Sequence, residues 1–533
     1  MASLVIVSQL IKLIYKRFIY MKIGFASIYP FRPHIKHMVY IINLAIKDGH
    51  EIYFLECDSA FENCSKKINQ NFVEKKISCL KCNLGGLKGY IDKKPDLFSN
   101  FINDNISNKN FSYSATSTIA GINGISEQEE LNNTTIKNQI SLSNKTINKA
   151  YTGAINWIKS RKLDLIFGFN GRIDITNAIL NAALDCKTPY VSLERSWLGN
   201  GIQLNFNGTP LSLSGFDDVV STFNDKPLNK MQISKAFLSI SNRFNKISYG
   251  EFKQYNIKQT RGLVNSKFKW LYLPSSIFER IGHPDWEDNW EDSFHPIKHL
   301  IKTGVIKKSE LIIRGHPQWI KYSPSSEKEF KKKSKEIGVK YIPSQSNIST
   351  HELIVNCENL IVYGSSSAFE AGLLGKRILN FSPTFYQKGL FTYNYFSEKE
   401  FDLKKFLNTD PKFIIRQTLR TIFSINYRYM QFTDYIIAES AYNYKFKEFH
   451  DLNYFNKIID NNKIPYNDFE FSPSCKEEND FLDNFFNKRS DKIFDLNFCL
   501  KFEDKKRNDD SSIKIERKKN WKFMDVIDEF YKH

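Results

Sequence analysis

No stretch of this sequence offers the roughly 20 uninterrupted apolar residues that a helix needs to cross a bilayer. The most apolar candidate, MASLVIVSQLIKLIYKRFIY at residues 1–20, is interrupted by Lys12, Lys16 and Arg17. It also lacks the basic start and small-residue cleavage site of a secretory signal. Gly-x-Gly-x-x-Gly is missing from the first strand–helix turn, which argues against a tightly bound dinucleotide. No Asp-x-Asp stands at a loop position that would bridge a metal ion to a diphosphate, and no common DNA- or RNA-binding signature stands out. These absences imply a cytoplasmic chain that needs no cofactor for its chemistry and has no nucleic acid among its partners.

What is present is ample material for a core. At 533 residues, with 41% hydrophobic and 25% charged residues, the chain suits two large lobes. Its charge of +18, from 76 Lys and Arg against 58 Asp and Glu, implies attraction to an anion. Nucleic acid, a lipid surface and a nucleotide sugar all qualify, and charge alone does not choose among them. Nucleic-acid binding stays as the reading that predicts strongly salt-dependent affinity. Lysine-rich stretches such as Lys331 to Lys335 and Lys505 to Arg507 read as solvated surface.

Met21 opens MKIGFASIYP, a first strand beginning at a second start codon. Residues 1–20 therefore read either as an upstream mis-start or as an amphipathic segment resting on the anionic inner membrane leaflet. Ile23 to Ile28 reads as a strand, Pro33 to Lys47 as a helix with apolar Ile35, Val39, Ile42 and Ile46, and Glu51 to Glu56 as the next strand. Residues 103–148 turn rich in Asn, Ser and Thr without a sustained apolar period and read as a mobile polar insertion. Strand patterning resumes at Leu163 to Phe169 and Tyr190 to Leu193. A polar helical segment from Asp225 to Lys267 leads to a second series: Trp270 to Leu273, Leu311 to Ile313, Val339 to Ile342, Leu360 to Tyr363 and Arg377 to Phe381.

Strands alternating with helices in this way predict an α/β protein of two Rossmann-like lobes, each a doubly wound parallel sheet. The expected boundaries are 21–265 for the first lobe, 266–400 for the second and 401–533 for a helical, charged C-terminal extension.

Two constellations fall at the C-terminal ends of second-lobe strands, the edge where open α/β sheets bind ligands. One is Arg314-Gly315-His316-Pro317, in which Pro317 biases His316 to an extended backbone and fixes the imidazole at the strand end. The other is Gly364-Ser365-Ser366-Ser367 running into a helix, where hydroxyls, unpaired N–H groups and the helix dipole favour an anion. With Ser275 and Ser276 after the WLYL strand, they suggest a phosphate cradle, in which Arg314 and His316 offset charge on a departing group. Glu370 could accept hydrogen bonds from a ribose diol, or could close a capping box with Ser367.

The second lobe, from WLYLPSS through RGHP to YGSSSAFEAGLLGKRIL, resembles the capsule polysaccharide biosynthesis glycosyltransferases, a group that includes Kdo transferases of the GT-B type. The resemblance spans roughly residues 270 to 382 and is weaker at Phe169-Asn170-Gly171-Arg172 and Leu193-Glu194-Arg195. It implies a GT-B fold with the nucleotide held in the C-terminal lobe, here by His316-Pro317 and Ser365 to Ser367. Sialyltransferases with a similar His-Pro motif also bind a cytidine nucleotide, which puts CMP-linked donors first and UDP- or GDP-linked donors second.

In the first lobe Asn170-Gly171-Arg172 and Glu194-Arg195 follow successive strands and can face the interlobe cleft. A carboxylate there could serve as general base toward an acceptor hydroxyl, or as a nucleophile if the reaction retains configuration. Glu194 is the first candidate and Asp174 the second, while an ion pair of Glu194 with Arg172 or Arg195 is the plainer alternative. His34 and His37 could touch the acceptor or simply pack. Cys57, Cys64, Cys79 and Cys82 could hold a structural zinc through their one Cys-x2-Cys pair or stand as unligated thiols, with an iron–sulfur cluster a lesser option.

The expected activity is transfer of Kdo or a related acidic sugar from a CMP-linked donor to a capsule or lipopolysaccharide glycan, free or lipid-linked, at or near the inner membrane. A non-catalytic polysaccharide assembly or export factor is the competing reading, and it predicts weak nucleotide binding and an unimportant His316.

Overall fold

A computed structural model describes residues 20–103, 107–125, 128–197, 199–246, 260–264, 266–398, 401–440, 442–451, 453–502 and 512–525. The apolar segment at residues 1–19 and the basic run Lys505 to Arg507 lie outside the described residues.

The first sheet has the order β3-β2-β1-β4-β5-β6, built from β1 (Lys22–Ala26), β2 (Glu51–Glu56), β3 (Asp96–Leu97), β4 (Leu165–Phe169), β5 (Tyr190–Arg195) and β6 (Ile202–Phe206). All neighbours are parallel except β5 and β6. Helices cover both faces of such a sheet, so its central strands carry unbroken apolar runs in place of alternation. Every residue of β4 is buried, and Phe25 of β1 stacks on Phe167 of β4 with ring centroids 5.6 Å apart. Helix α1 (His34–Lys47) packs Ile35, Met38, Val39, Ile41, Ile42 and Ala45 onto the sheet and stops at Asp48 and Gly49, as its pattern implies. Ile46 faces outward, 49% exposed.

The second sheet, in the order β12-β11-β10-β7-β8-β9, is parallel throughout. Its strands are β7 (Phe268–Leu273), β8 (Leu311–Arg314), β9 (Lys340–Ile342), β10 (Cys357–Val362), β11 (Arg377–Asn380) and β12 (Tyr393–Asn394). The two lobes expected from the alternating pattern are therefore present. No helix among the described residues is long and apolar enough to cross a membrane.

Three expectations about the connecting segments need correction. The polar stretch at 103–148 contains helix α3 (Ser112–Asn123) and the first half of α4 (Thr134–Arg161), after α2 (Phe72–Gly85). The stripe by which α4 packs reads Ser143, Thr146, Ile147, Ala150, Tyr151, Ala154, Trp157 and Ile158. Its helical spacing is regular, but Ile147 is the one large apolar residue among its first four positions, so an apolar count misses it. Next, the boundary at 265 lies too late. Following α5 (Asp174–Asp185), helices α6 (Ser214–Phe223) and α7 (Lys230–Phe244) bury Val219, Ile233, Phe237, Ile240 and Phe244 in one core with Leu271, Leu360 and Phe369 of the second lobe.

The region after 401 is likewise no appendage. Beyond α8 (Ala368–Leu373), helix α9 (Pro411–Phe423) packs into the second-lobe core and runs through a π-helical turn, Ser424–Tyr429. The chain then returns to the first lobe, where Gln431 bridges Ile202, and Tyr454, Phe455 and Ile458 enter its core. Strands β13 (Ile436–Ala438), β14 (Tyr444–Lys447) and β15 (Ser512–Ile513) form a small antiparallel sheet whose Phe446 lies 5.6 Å from Tyr40 of α1.

Candidate active site between the lobes

The C-terminal ends of β1, β4 and β5 in one lobe, and of β7, β8 and β10 in the other, open onto a single cavity of about 1560 Å³. The edge of an open parallel sheet is polar and concave because successive loops diverge there. Of the residues proposed from sequence, the cavity wall includes His34, Asn170, Arg172, Glu194, Arg195, Ser275, Ser276, His316, Ser365 and Ser366. It does not include Asp174, Arg314, Pro317, Ser367 or Glu370.

On the first-lobe wall Glu194 ends β5, accepting hydrogen bonds from Asn170 Nδ2 at 2.9 Å and from the Arg195 backbone N–H at 3.1 Å. Its other close partner is His34 Nε2. Burial alone would raise the Glu194 pKa, but the charge and hydrogen bond of His34, with those of Asn170 and Arg195, outweigh it and hold the carboxyl at about 2. The local backbone supplies this geometry. Asn170 and Gly171 both take positive φ, 61° and 77°, which Asn and Gly tolerate best. In that turn Asn170 Oδ1 caps the Arg172 N–H at 3.0 Å while Nδ2 points to Glu194. Arg172 leans away, donating to Ser117 Oγ at 2.9 Å and reaching Glu279 at 3.9 Å.

Asp174, the second carboxylate candidate, is fully buried at the start of α5. Tyr29 Oη and the Ser65 N–H, each at 2.6 Å, occupy its two oxygens, so it braces the first lobe and stays out of the cavity. His37 is also fully buried, 4.6 Å from the Tyr444 ring, and burial drives its pKa well below the ordinary value.

On the second-lobe wall burial lowers the His316 pKa to about 4, with the charge of Arg280 adding to the effect, so the ring is neutral at pH 7. Its Nδ1 accepts the Gln318 N–H at 3.3 Å, which leaves the proton on Nε2 as a donor. The turn has room for nothing larger than glycine before it. A Cβ on Gly315 would stand 2.5 Å from Tyr341 Oη, 2.8 Å from Glu327 Oε2 and 2.9 Å from the Ser344 nitrogen. Gly364 takes φ +69° and donates to Asn380 Oδ1 at 3.1 Å, and Tyr386 Oη donates to the Ser365 carbonyl at 2.7 Å, which together fix the Ser365–Ser366 turn.

Several sequence assignments on this lobe are overturned. Arg314 is 2% exposed and donates to the carbonyls of Pro343 and, at 2.8 Å, Ser346, so it ties β8 to the loop after β9. Glu370 is 1% exposed, lies off the cavity wall and pairs with Arg243 Nε at 3.0 Å and His351 Nε2 at 3.5 Å in place of the Ser367 N–H. Ser367 makes no side-chain cap, and α8 is only six residues long, too short for its dipole to define an anion site. Pro317 shapes the turn in which the Trp319 N–H bonds the His316 carbonyl at 3.0 Å.

Cys57, Cys64, Cys79 and Cys82 line one cramped space, together with Lys66 and Lys67. Among the described residues no group of three or more His, Cys, Asp or Glu is disposed to hold a metal ion. Burial pushes the Cys57 thiol up to about 11 and those of Cys64 and Cys82 up to about 12, which keeps them protonated at neutral pH. The wall residues that sequence reasoning missed are Arg280, Trp286 and Trp197, together with the outer helix α2. Arg280, Trp286 and Trp197 belong to no recognisable motif.

This arrangement defines a two-lobed α/β protein in which the strand ends of two six-stranded sheets face one cleft. No protein-family model and no curated protein sequence matches the chain. Among solved structures it is similar to the beta Kdo 2,4 transferase of Thermosulfurimonas dismutans KpsC, at 15% identity and a TM-score of 0.34 over 54% of this chain and 82% of that one. The beta Kdo 2,7 transferase of the same KpsC aligns at 12% identity and a TM-score of 0.29, covering 56% and 84%. The UDP-GlcNAc 2-epimerase of Neisseria meningitidis, bound to UDP-GlcNAc, aligns at 12% identity and a TM-score of 0.30, covering 76% and 96%.

Proposed function

We propose that this chain is a glycosyltransferase that holds a nucleotide-linked sugar on its second lobe and an acceptor glycan on its first. The observation that carries this reading is that His316, Ser275, Ser276, Ser365 and Ser366 form one wall of the cavity while Glu194 faces it from the other. Glu194 is ionised at neutral pH and held at the cavity wall by three hydrogen-bond donors, so it meets the acceptor without a proton of its own. It takes the proton of an acceptor hydroxyl, the acceptor oxygen bonds to the anomeric carbon, and the bond from that carbon to the nucleotide phosphate oxygen breaks. The His316 Nε2–H and the serine hydroxyls then stabilise the negative charge left on the phosphate.

For the donor we favour a CMP-linked acidic sugar such as Kdo, on the strength of the His-Pro and serine motifs, and for the acceptor a growing capsule or lipopolysaccharide glycan. Contact with the inner membrane surface is supported by α2, whose Val73, Ile77 and Leu80 lie on one exposed stripe among Lys75, Lys76 and Lys81.

The test is to incubate the protein with CMP-Kdo, UDP-sugars and GDP-sugars, with and without glycan acceptor, and to measure released nucleotide. CMP release that rises with acceptor supports the reading in full. UDP or GDP release overturns the donor, and binding without any turnover points to the assembly-factor alternative.

A further inference from the structure

The cation expected from sequence at the donor site, Arg314, is committed to backbone carbonyls elsewhere, yet the second-lobe wall is not without one. Arg280 follows Ser275 and Ser276 in the loop after β7, in a turn closed by its own N–H on the Ile277 carbonyl at 2.8 Å. Its guanidinium lies 4.7 Å over the Trp286 ring and donates from Nη2 to the Tyr363 carbonyl at 3.3 Å. Nη1 is buried and has no hydrogen-bond partner among the described residues, and the same is true of Ser276 Oγ.

The neighbouring carboxylates are engaged otherwise. Asp288 accepts from Tyr363 Oη at 2.6 Å, and Glu279 reaches across to Arg172 at 3.9 Å. The guanidinium also presses against the Gly364 turn, since a Cβ there would stand 2.5 Å from Nη1. The cation is thereby fixed beside Ser365 and Ser366, in the cavity that His316 also lines. A half-buried guanidinium with an unsatisfied N–H is costly, and a planar fork of donors beside hydroxyls suits a tetrahedral oxyanion.

We propose that Arg280, with Ser276 and the Gly364–Ser366 turn, forms a phosphoryl-binding subsite that holds the phosphate of the nucleotide donor. This rests on the nucleotide-sugar reading and deepens it. Among the lining residues from 266 to 400, Arg280 is the sole Lys or Arg, and the Glu279 carboxylate beside it is drawn across the cleft toward Arg172.

The experiment compares calorimetric affinities of CMP with cytidine, UMP with uridine and GMP with guanosine, for wild type, Arg280→Gln and Arg280→Lys, each checked for a native circular dichroism spectrum. Wild type binds one nucleoside monophosphate more tightly than its nucleoside. Arg280→Gln weakens the monophosphate by about 10- to 100-fold and leaves the nucleoside unchanged, and Arg280→Lys retains part of the difference. If Arg280→Gln, or Arg280→Lys should the former not fold, keeps the wild-type ratio in full and Lys shows no loss, the subsite is wrong while the nucleotide reading stands. If no monophosphate binds wild type, the nucleotide reading falls and the subsite with it.

Discussion

His34 Nε2 and Glu194 Oε1 are hydrogen-bonded to each other across 160 positions of sequence, one at the start of α1 and the other at the end of β5. The contact exists because both strand ends reach the same sheet edge, and Asn170, between them at the end of β4, holds the second carboxylate oxygen. The group so fixed is ionised at every physiological pH. Glu194→Gln removes the charge while preserving the shape. Transfer should fall by roughly 100- to 10,000-fold with nucleotide affinity unchanged, as read from turnover beside calorimetry. Loss of nucleotide affinity in this variant would place Glu194 in the donor site.

The buried pair of Arg243 with Glu370 should govern stability. Removing one partner of such a pair strands a buried charge, at a cost of about 3–5 kcal/mol, so Arg243→Ala should lower the denaturant midpoint sharply. The double replacement Arg243→Met with Glu370→Leu should recover much of the loss. A variant at Glu370 that stays stable but loses nucleotide binding would return this residue to the ribose role.

Acid should weaken the fold through His37. Its folded pKa lies well below 6.5 because burial penalises the charged ring. The unfolded chain therefore takes up a proton below pH 6.5 that the folded chain refuses, and stability is full above that pH and falls beneath it. Between pH 7 and 5 the denaturant midpoint of wild type should fall more than that of His37→Phe, and parallel curves would contradict the assignment.

Gly315 explains why its motif begins Arg-Gly. An added methyl group would collide with Tyr341, Glu327 and the Ser344 backbone, so Gly315→Ala should cost about 1–3 kcal/mol and displace His316. Denaturant titration and nucleotide affinity should both suffer. A stable variant with intact binding would show that the turn relaxes freely.

These elements also show what could be read from sequence. Continuous apolar runs such as Leu165–Phe169, separated by amphipathic helices, announce a parallel sheet, and every strand expected from them is found. The cleft residues after strands, Glu194, His316, Ser365 and Ser366, follow from the same logic because strand ends are where such sheets bind ligands. Arg314, Asp174 and Glu370 mislead because adjacency in sequence does not tell which side of a turn a side chain takes, and each points into the core. Arg280 has no motif, and only folding brings it beneath Gly364. The long helix α4 escapes notice because the first half of its packing stripe has one large apolar residue, Ile147, among Ser143, Thr146 and Ala150.

The central claim, that one wall binds the nucleotide and the other acts on the acceptor, is tested most directly by calorimetric titration of CMP, CDP, UDP and GDP into wild type, His316→Ala and Glu194→Gln. The account predicts that one nucleotide, CMP first, binds wild type and Glu194→Gln alike and that His316→Ala abolishes this binding. Equal binding by His316→Ala, or no binding of any nucleotide to wild type, would contradict it.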